Sequence, residues 1–146
     1  MTAKTIDYYF TPMSPWAYLG HERFVAIAKR HNAHIEVKPV DYGRVFPVSG
    51  GLPLAQRPKQ RQAYRLMELK RWREFLGMPL NLPPKHAPVP PELAARLIIA
   101  ADMKELNAMA LSLAIHRAAW VEERDISDPE TLKAICAENG RKPDFL

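Results

Sequence analysis

The segment Thr11-Pro12-Met13-Ser14-Pro15-Trp16-Ala17-Tyr18-Leu19-Gly20 decides the fold. It follows a run of β-branched and aromatic residues, Thr5 to Phe10, that predicts a strand. Ser14 is a favoured N-cap residue, and Pro15 then stands at the first helical position, where proline is well tolerated. The segment therefore predicts a strand, a tight loop and a helix start. A helix start favours anions, although a Ser-Pro pair most often only caps its helix.

The residues after Ser14 extend this pattern to a second strand. Apolar residues recur at helical spacing and end in the polar run Lys29 to Asn32. His34 to Val40 alternates with a period of two, as a strand does. We therefore expect a right-handed strand–helix–strand unit with parallel strands. The apolar positions of the expected helix are Trp16, Leu19, Phe24, Ile27 and Ala28.

A loop and a basic helix are expected next. Asp41 to Pro58 is rich in glycine and proline and predicts a long loop, a kind of segment that is often functional. Gln60 to Leu76 predicts an amphipathic helix, which Gly77 ends. Its charged residues are mostly basic, which usually indicates only a solvated face. Its expected apolar side consists of Tyr64, Met67, Trp72, Phe75 and Leu76.

The second half of the chain predicts further helices. Met78 to Pro91 is proline-rich and should be extended and stiff. From Glu92 onward, residues rich in alanine and leucine predict one or two well-buried helices. Asp128-Pro129 predicts the cap and first turn of a short helix that Gly140 ends. Residues 141–146 are expected to form a loop.

Composition excludes several classes of protein. The 146 residues suit one globular domain, with 47% apolar and 25% charged residues and a net charge of +5. No apolar run is long enough for a membrane helix, so a cytoplasmic protein without a membrane partner is expected. The single Cys136 excludes an internal disulfide, and a buried inert thiol is expected there. The histidines show no metal-ligand spacing, so no metal site is expected.

The position of Ser14 indicates a particular chemistry. Ser14-Pro15-Trp16-Ala17 lies after the first strand and at the head of the first helix, where thioredoxin-like proteins keep a Cys-x-x-Cys pair. Neither Ser14 nor Ala17 can form a disulfide, so the redox step is lost while the thiolate-stabilising helix start remains. Such a site suits the thiolate of a bound thiol.

These residues resemble the 2-hydroxychromene-2-carboxylate isomerase family, which is related to kappa-class glutathione transferases and DsbA-type oxidoreductases. The resemblance runs in the family's order and spacing over most of the chain. It rests on Asp7 to Phe10 with Ser14 to Leu19, on Tyr64 to Trp72 with Gly77 to Pro79, and on Ala119 to Pro129.

The resemblance implies an α/β protein of thioredoxin-like, DsbA and kappa type with an all-helical insertion. It also implies a glutathione-dependent isomerase of aromatic-compound degradation, in which Ser14 stabilises the glutathione thiolate. That thiolate would add to a small acidic aromatic substrate, the ring would open, a bond would rotate, and elimination would return the thiol. Pro15 and Trp16 would help to bind glutathione. The ligand carboxylates would meet Arg57, Lys59 or Arg61.

Relative to this family the chain is expected to be truncated at its C-terminus. Residues 1–58 would form the N-terminal part of the thioredoxin-like domain with its following loop, and residues 59–146 the helical insertion. The family's cis-proline segment, last strands and last helix would then be missing. We therefore expect weak or no glutathione binding by the 146 residues alone, or completion by a partner such as a second copy in a homodimer.

Three other functions remain open. A kappa-like glutathione transferase would share the fold but conjugate electrophiles. A non-catalytic remnant would act as a binding or interaction module. A nucleic-acid module would use the basic residues Arg61 to Arg73 and show salt-dependent binding, but Tyr64 and Trp72 are expected to pack inside the protein, so no nucleic-acid partner is expected.

Overall fold

The structure, a computed structural model, describes residues 4–140, so the loop expected at 141–146 lies outside the described residues. The chain alternates strand and helix at first and is then helical. The elements are β1 (Lys4–Phe10), α1 (Pro15–Arg30), β2 (Ala33–Pro39), α2 (Tyr42–Ser49), a 3-10 turn (Leu54–Gln56), α3 (Lys59–Leu76), α4 (Glu92–Met103), α5 (Ala108–Trp120) and α6 (Pro129–Glu138).

The predicted strand–helix–strand unit is confirmed. β1 and β2 pair in parallel, in a register that runs from Lys4 opposite Ala33 to Phe10 opposite Pro39. The Val40 N–H donates to the Phe10 carbonyl at 2.8 Å and extends the pairing beyond β2. Because the strands are parallel, the carboxyl ends of both strands lie at the same end of the sheet. The loop that carries Ser14 begins at this end.

Helix α5 forms the centre of the hydrophobic core. It contacts α1, α4 and α6, and Leu111 and Ile115 are fully buried along it. The alanine- and leucine-rich sequence thus forms two buried helices, as predicted, and Asp128 caps α6 by accepting a hydrogen bond from the Thr131 N–H at 2.8 Å. The core therefore holds α1 against the helical half of the chain.

The prediction that Asp41 to Pro58 is wholly a loop is wrong, because the segment contains α2 and a 3-10 turn. The Asp41 carboxylate accepts a hydrogen bond from the Gly43 N–H at 2.8 Å and caps α2, and Gly50 ends it with a φ of 76°. Asp and Gly at these positions are the usual cap residues of a helix. Pro47 lies inside α2, where it removes one hydrogen bond of a short helix.

The prediction of a packed apolar side on the basic helix is also wrong for the described residues. In α3 only Leu69 is buried, while Tyr64 is 55% and Trp72 42% exposed. At 3.6 residues per turn, the apolar side chains of α3 are spread around most of its circumference, so they form no single face. Helix α3 packs against α1, and Leu69 and Leu76 reach the hydrophobic core.

The proline-rich segment from Met78 to Pro91, which the sequence predicts to be extended and stiff, has no helix or strand and includes bends and a turn. Several hydrogen bonds fix it to the elements around it. The Tyr18 hydroxyl donates to the Pro79 carbonyl at 2.9 Å, and the Asn81 N–H donates to the Trp120 carbonyl at 2.8 Å. The segment thus connects the first turn of α1 to the end of α5. The predicted domain division after residue 58 stays a prediction.

Candidate functional site

The start of α1 has the geometry of a capped helix. Ser14 is extended, with φ −79° and ψ 118°, and its Oγ accepts a hydrogen bond from the Ala17 N–H at 3.1 Å. The Ser14 N–H donates to the Thr11 carbonyl at 3.0 Å, which closes the turn before the helix. Ser14 is therefore the N-cap and Pro15 the first helical residue, as predicted.

Two hydrogen-bond donors remain available at this helix start. The Ala17 and Tyr18 N–H groups are both bonded to Ser14, and Pro15 has no N–H. The Trp16 N–H has no acceptor among residues 4–140, and at this position in a helix an N–H points outward along the axis. The Ser14 hydroxyl accepts from Ala17 and keeps its own proton to donate. Together these two groups suit an anion placed before α1.

The first turn of α1 contains no acidic side chain that would repel an anion. Lys29 and Arg30 in its last turn complement the helix dipole at the other end. The side chain of Trp16, two residues after Ser14, is 41% exposed and offers a flat apolar surface to a ligand. Cys136, the single cysteine of the sequence, is buried in α6, so no exposed cysteine accompanies Ser14 at this helix start.

The basic residues proposed to meet ligand carboxylates lie away from α1 in sequence, at the beginning of α3. Lys59 and Arg61 are exposed, and their side chains make no hydrogen bond or ion pair within residues 4–140. No contact in the structure brings them to Ser14. Arg57 donates from Nε to the Leu52 carbonyl at 2.8 Å.

Sequence reasoning counted Arg65 among the basic residues of the helix but did not place it among those expected to meet ligand carboxylates. Burial and the nearby charge of Arg57 both lower the pKa of the Arg65 guanidinium. No carboxylate among the described residues pairs with Arg57 or Arg65. Two adjacent cations without an acidic partner are suited to an anionic ligand. The only sequence signal for this pair was the density of basic residues.

Two histidines are buried behind the Ser14 loop, although the sequence indicated only that the histidines are surface or packing residues. His116 of α5 and His21 of α1 are almost fully buried, with ring centroids 5.8 Å apart. The His116 Nδ1 lies 2.9 Å from the Pro12 carbonyl oxygen, and the His21 Nε2 lies 2.9 Å from the Met109 carbonyl oxygen. Burial lowers both pKa values, that of His116 to about 3.

Other candidate sites are weaker. An open cavity of about 570 Å³ lies at the opposite end of α1, between Ile6, Ile27 and His31, away from the Ser14 loop. Within residues 4–140, no group of three potential ligand side chains is placed to hold a metal ion. The helices of that part of the chain are all too short or too polar to cross a membrane.

A thiol placed at residue 14 would report the electrostatics of the helix start. We expect Ser14→Cys to give a thiol whose pKa lies about one unit or more below the ordinary value near 8.5, because the dipole and free N–H groups favour the thiolate. Thiolate absorbance against pH, with the unmodified protein as reference for Cys136, measures it. An introduced thiol with an ordinary pKa would rule out an anion-stabilising helix start.

The parallel strand–helix–strand unit, the loop at its carboxyl edge and the helices packed behind it define a thioredoxin-like fold. The family model described as the DSBA-like thioredoxin domain matches residues 5–145. This chain therefore belongs to the DsbA-like thioredoxin family, as its sequence predicted.

Curated relatives agree with this assignment. The chain is 28% identical over 144 residues to a 2-hydroxychromene-2-carboxylate isomerase of Sphingobium xenophagum, a match that covers 98% of the chain and 72% of the relative. It is 30% identical over 79 residues to the isomerase of that name from Pseudomonas putida, covering 53% and 39%. It is 22% identical over 142 residues to glutathione S-transferase kappa 1 of Homo sapiens, covering 94% and 62%.

A solved structure shows the same fold. The structure of 2-hydroxychromene-2-carboxylate isomerase superposes with a TM-score of 0.72 at 24% identity, and the match covers 97% of this chain and 68% of that one. The chain thus spans between 39% and 72% of the length of the curated relatives described. At these identities the relatives suggest an enzyme.

Proposed function

We propose that this chain carries the thiolate-binding site of a glutathione-dependent isomerase that acts on a small acidic aromatic substrate such as 2-hydroxychromene-2-carboxylate. The observation that carries the proposal is the helix start at Ser14, with two free donors and no redox cysteine. The isomerase names of two relatives support the reaction class.

The donors at Ser14 fit a sulfur anion. The hydroxyl of Ser14 and the N–H of Trp16 would both donate to the sulfur, and the dipole of α1 would add to their effect. A hydrogen bond to a charged acceptor contributes about 1.5–3 kcal/mol, and a helix terminus about 0.3–2 kcal/mol. Since one pKa unit corresponds to about 1.4 kcal/mol, these terms would lower a thiol pKa by one to three units before burial opposes them.

When bound, glutathione would supply a nucleophile that is regenerated, so the isomerisation involves no net oxidation. The chain's own residues would bind and orient the reactants. Ser14 would hold the sulfur as its anion, and Trp16 would cover one side of the ligand. Arg57 and Arg65, rather than the exposed Lys59 and Arg61 alone, are the cations that we expect to meet carboxylates, because Arg65 is half-buried and lacks an acidic partner.

Isothermal titration with glutathione and with S-methylglutathione tests the proposal. Binding by the 146 residues alone is expected to be weak, but we expect glutathione to bind more tightly than its methylated form and to release a proton at neutral pH, because only a free thiol can bind as the thiolate. Proton release is measured by repeating the titration in buffers of different ionisation enthalpy. The conversion of 2-hydroxychromene-2-carboxylate should likewise require glutathione. Equal binding of both peptides without proton release would contradict the proposal.

A kappa-like glutathione transferase is the second candidate, favoured by the similarity to glutathione S-transferase kappa 1 over most of the chain. It would use the same site at Ser14, so binding experiments do not distinguish the two activities. A parallel assay with a general electrophile does. Conjugation without isomerisation would favour the transferase.

A further inference from the structure

His116 occupies an unusual position behind the Ser14 loop. It lies on α5, is fully buried, and reaches across 104 residues of sequence to the carbonyl of Pro12, two residues before Ser14. Its ring also lies 5.7 Å from that of Phe10, the last residue of β1. The ring therefore contacts both the end of the strand and the loop that follows it.

The hydrogen bond to Pro12 fixes the chemical form of His116. A carbonyl oxygen only accepts, so Nδ1 must carry the proton and donate it. The Nε2 of His116 is buried without a partner among the described residues, so a second proton there would have no acceptor. The ring is thus held as one neutral tautomer, with its donor directed at the loop.

His21 makes the reverse connection between the same two helices. Its Nε2 donates to the Met109 carbonyl of α5, whereas its Nδ1 is buried without a partner in the part of the chain that the structure describes. A side chain of α5 thus donates a hydrogen bond to the loop before α1, and a side chain of α1 donates one to the first turn of α5. The two rings meet edge to face at 5.8 Å, with an interplanar angle of 67°.

We propose that His116 is the positioning residue of the Ser14 loop: by donating from Nδ1 to the Pro12 carbonyl, it fixes the turn that presents the Ser14 hydroxyl and the Trp16 N–H. Pro12 is buried, and a buried carbonyl without a partner is costly. Among residues 4–140, His116 is the donor that this carbonyl has. The relevance of this positioning to catalysis rests on the function proposed above.

The two amide variants of His116 provide a matched test. The Asn amide nitrogen lies where Nδ1 of histidine lies, whereas the Gln amide nitrogen lies near the position of Nε2. We therefore expect His116→Asn to retain the bond to Pro12 and His116→Gln to lose it. At His21, which donates from Nε2, the order should be reversed. The same exchange at the exposed His34 serves as a control with no effect.

Two readouts follow the loop without glutathione. In His116→Gln, NMR should show faster hydrogen exchange at the Ser14 and Ala17 amides, about tenfold or more, with His116→Asn close to the unmodified protein. In the Ser14→Cys background, His116→Gln should raise the thiol pKa by about half a unit or more, and His116→Asn should leave it nearly unchanged. These measurements detect positioning even if the proposed reaction is wrong.

Activity supplies the third readout. If the isomerase proposal holds, His116→Gln should lower kcat about 10- to 100-fold, with a smaller change in KM, because displacement of a catalytic group by about 1 Å can have such an effect. His116→Asn should restore most of the rate. The proposal is overturned if both variants behave alike in amide exchange and thiol pKa, or if neither changes the Ser14 and Ala17 amides.

Discussion

If the proposed isomerase function holds, replacement of Ser14 with glycine should reduce glutathione-dependent isomerisation by about 10- to 200-fold, because the proposed hydrogen bond to the charged sulfur, worth about 1.5–3 kcal/mol, would be lost. Glycine is a tolerated N-cap residue and costs only a few tenths of a kcal/mol, so α1 should stay folded. Steady-state kinetics with 2-hydroxychromene-2-carboxylate and saturating glutathione measure the effect, and thermal unfolding checks stability.

Two matched variants make this result specific. Ser14→Thr retains the cap and the hydroxyl and should keep most of the activity. Ser49→Gly removes a serine from the exposed last turn of α2 and should have no effect on the rate. If Ser14→Gly remained as active as the unmodified protein, Ser14 would be no more than a helix cap, which is its most common role.

Acid should destabilise the protein through His116. In the folded state the pKa of His116 is lowered to about 3 from 6.5, mainly by burial and then by the neighbouring His21. Below pH 6.5 the unfolded chain binds a proton that the folded protein does not bind. The free energy of unfolding is therefore unaffected by His116 above this pH and decreases as the pH falls toward 3. For His116 alone the loss between about pH 7.5 and pH 5 should be about 2 kcal/mol.

Chemical denaturation of the unmodified protein and of His116→Asn at these two pH values isolates the effect. The variant has no titrating group at residue 116, so its free energy of unfolding should fall about 2 kcal/mol less over the same interval. His21, whose pKa is also lowered by burial, is present in both proteins and contributes equally to each. If the free energies of unfolding of the two proteins changed equally with pH, His116 would bind its proton as readily in the folded state as in the unfolded chain.

The fold was largely predictable because its local signals agree with one another. Ser14 and Pro15 predict the start of α1, and the period-two pattern of His34 to Val40 predicts β2. Asp41 and Gly50 were interpreted as loop residues although they cap α2, since the same residues favour turns and helix ends. The local sequence contains both possibilities, and the packing of the rest of the chain decides between them.

Features that depend on distant contacts were not predictable. His116 has no neighbours in sequence that mark it as a partner of Pro12, and the approach of Arg57 to Arg65 depends on the 3-10 turn and the path into α3. The exposure of Tyr64 and Trp72 likewise depends on what packs against α3, which periodicity alone does not reveal. The place of Ser14 at the helix start depends on neighbouring residues and was therefore predicted. The hydrogen bond from His116 to the loop before Ser14 depends on a distant residue and was not.

The bond between His116 and Pro12 has a consequence for the order of folding. The loop lies near the N-terminus, yet it receives its fixing hydrogen bond from a residue 104 positions later. Contacts so far apart in sequence form only after the intervening chain has been brought together, at an entropic cost that slows folding. During synthesis, α1 is therefore expected to become helical before the turn at Pro12 is fixed. The loop before Ser14 would reach its final position only when α5 docks.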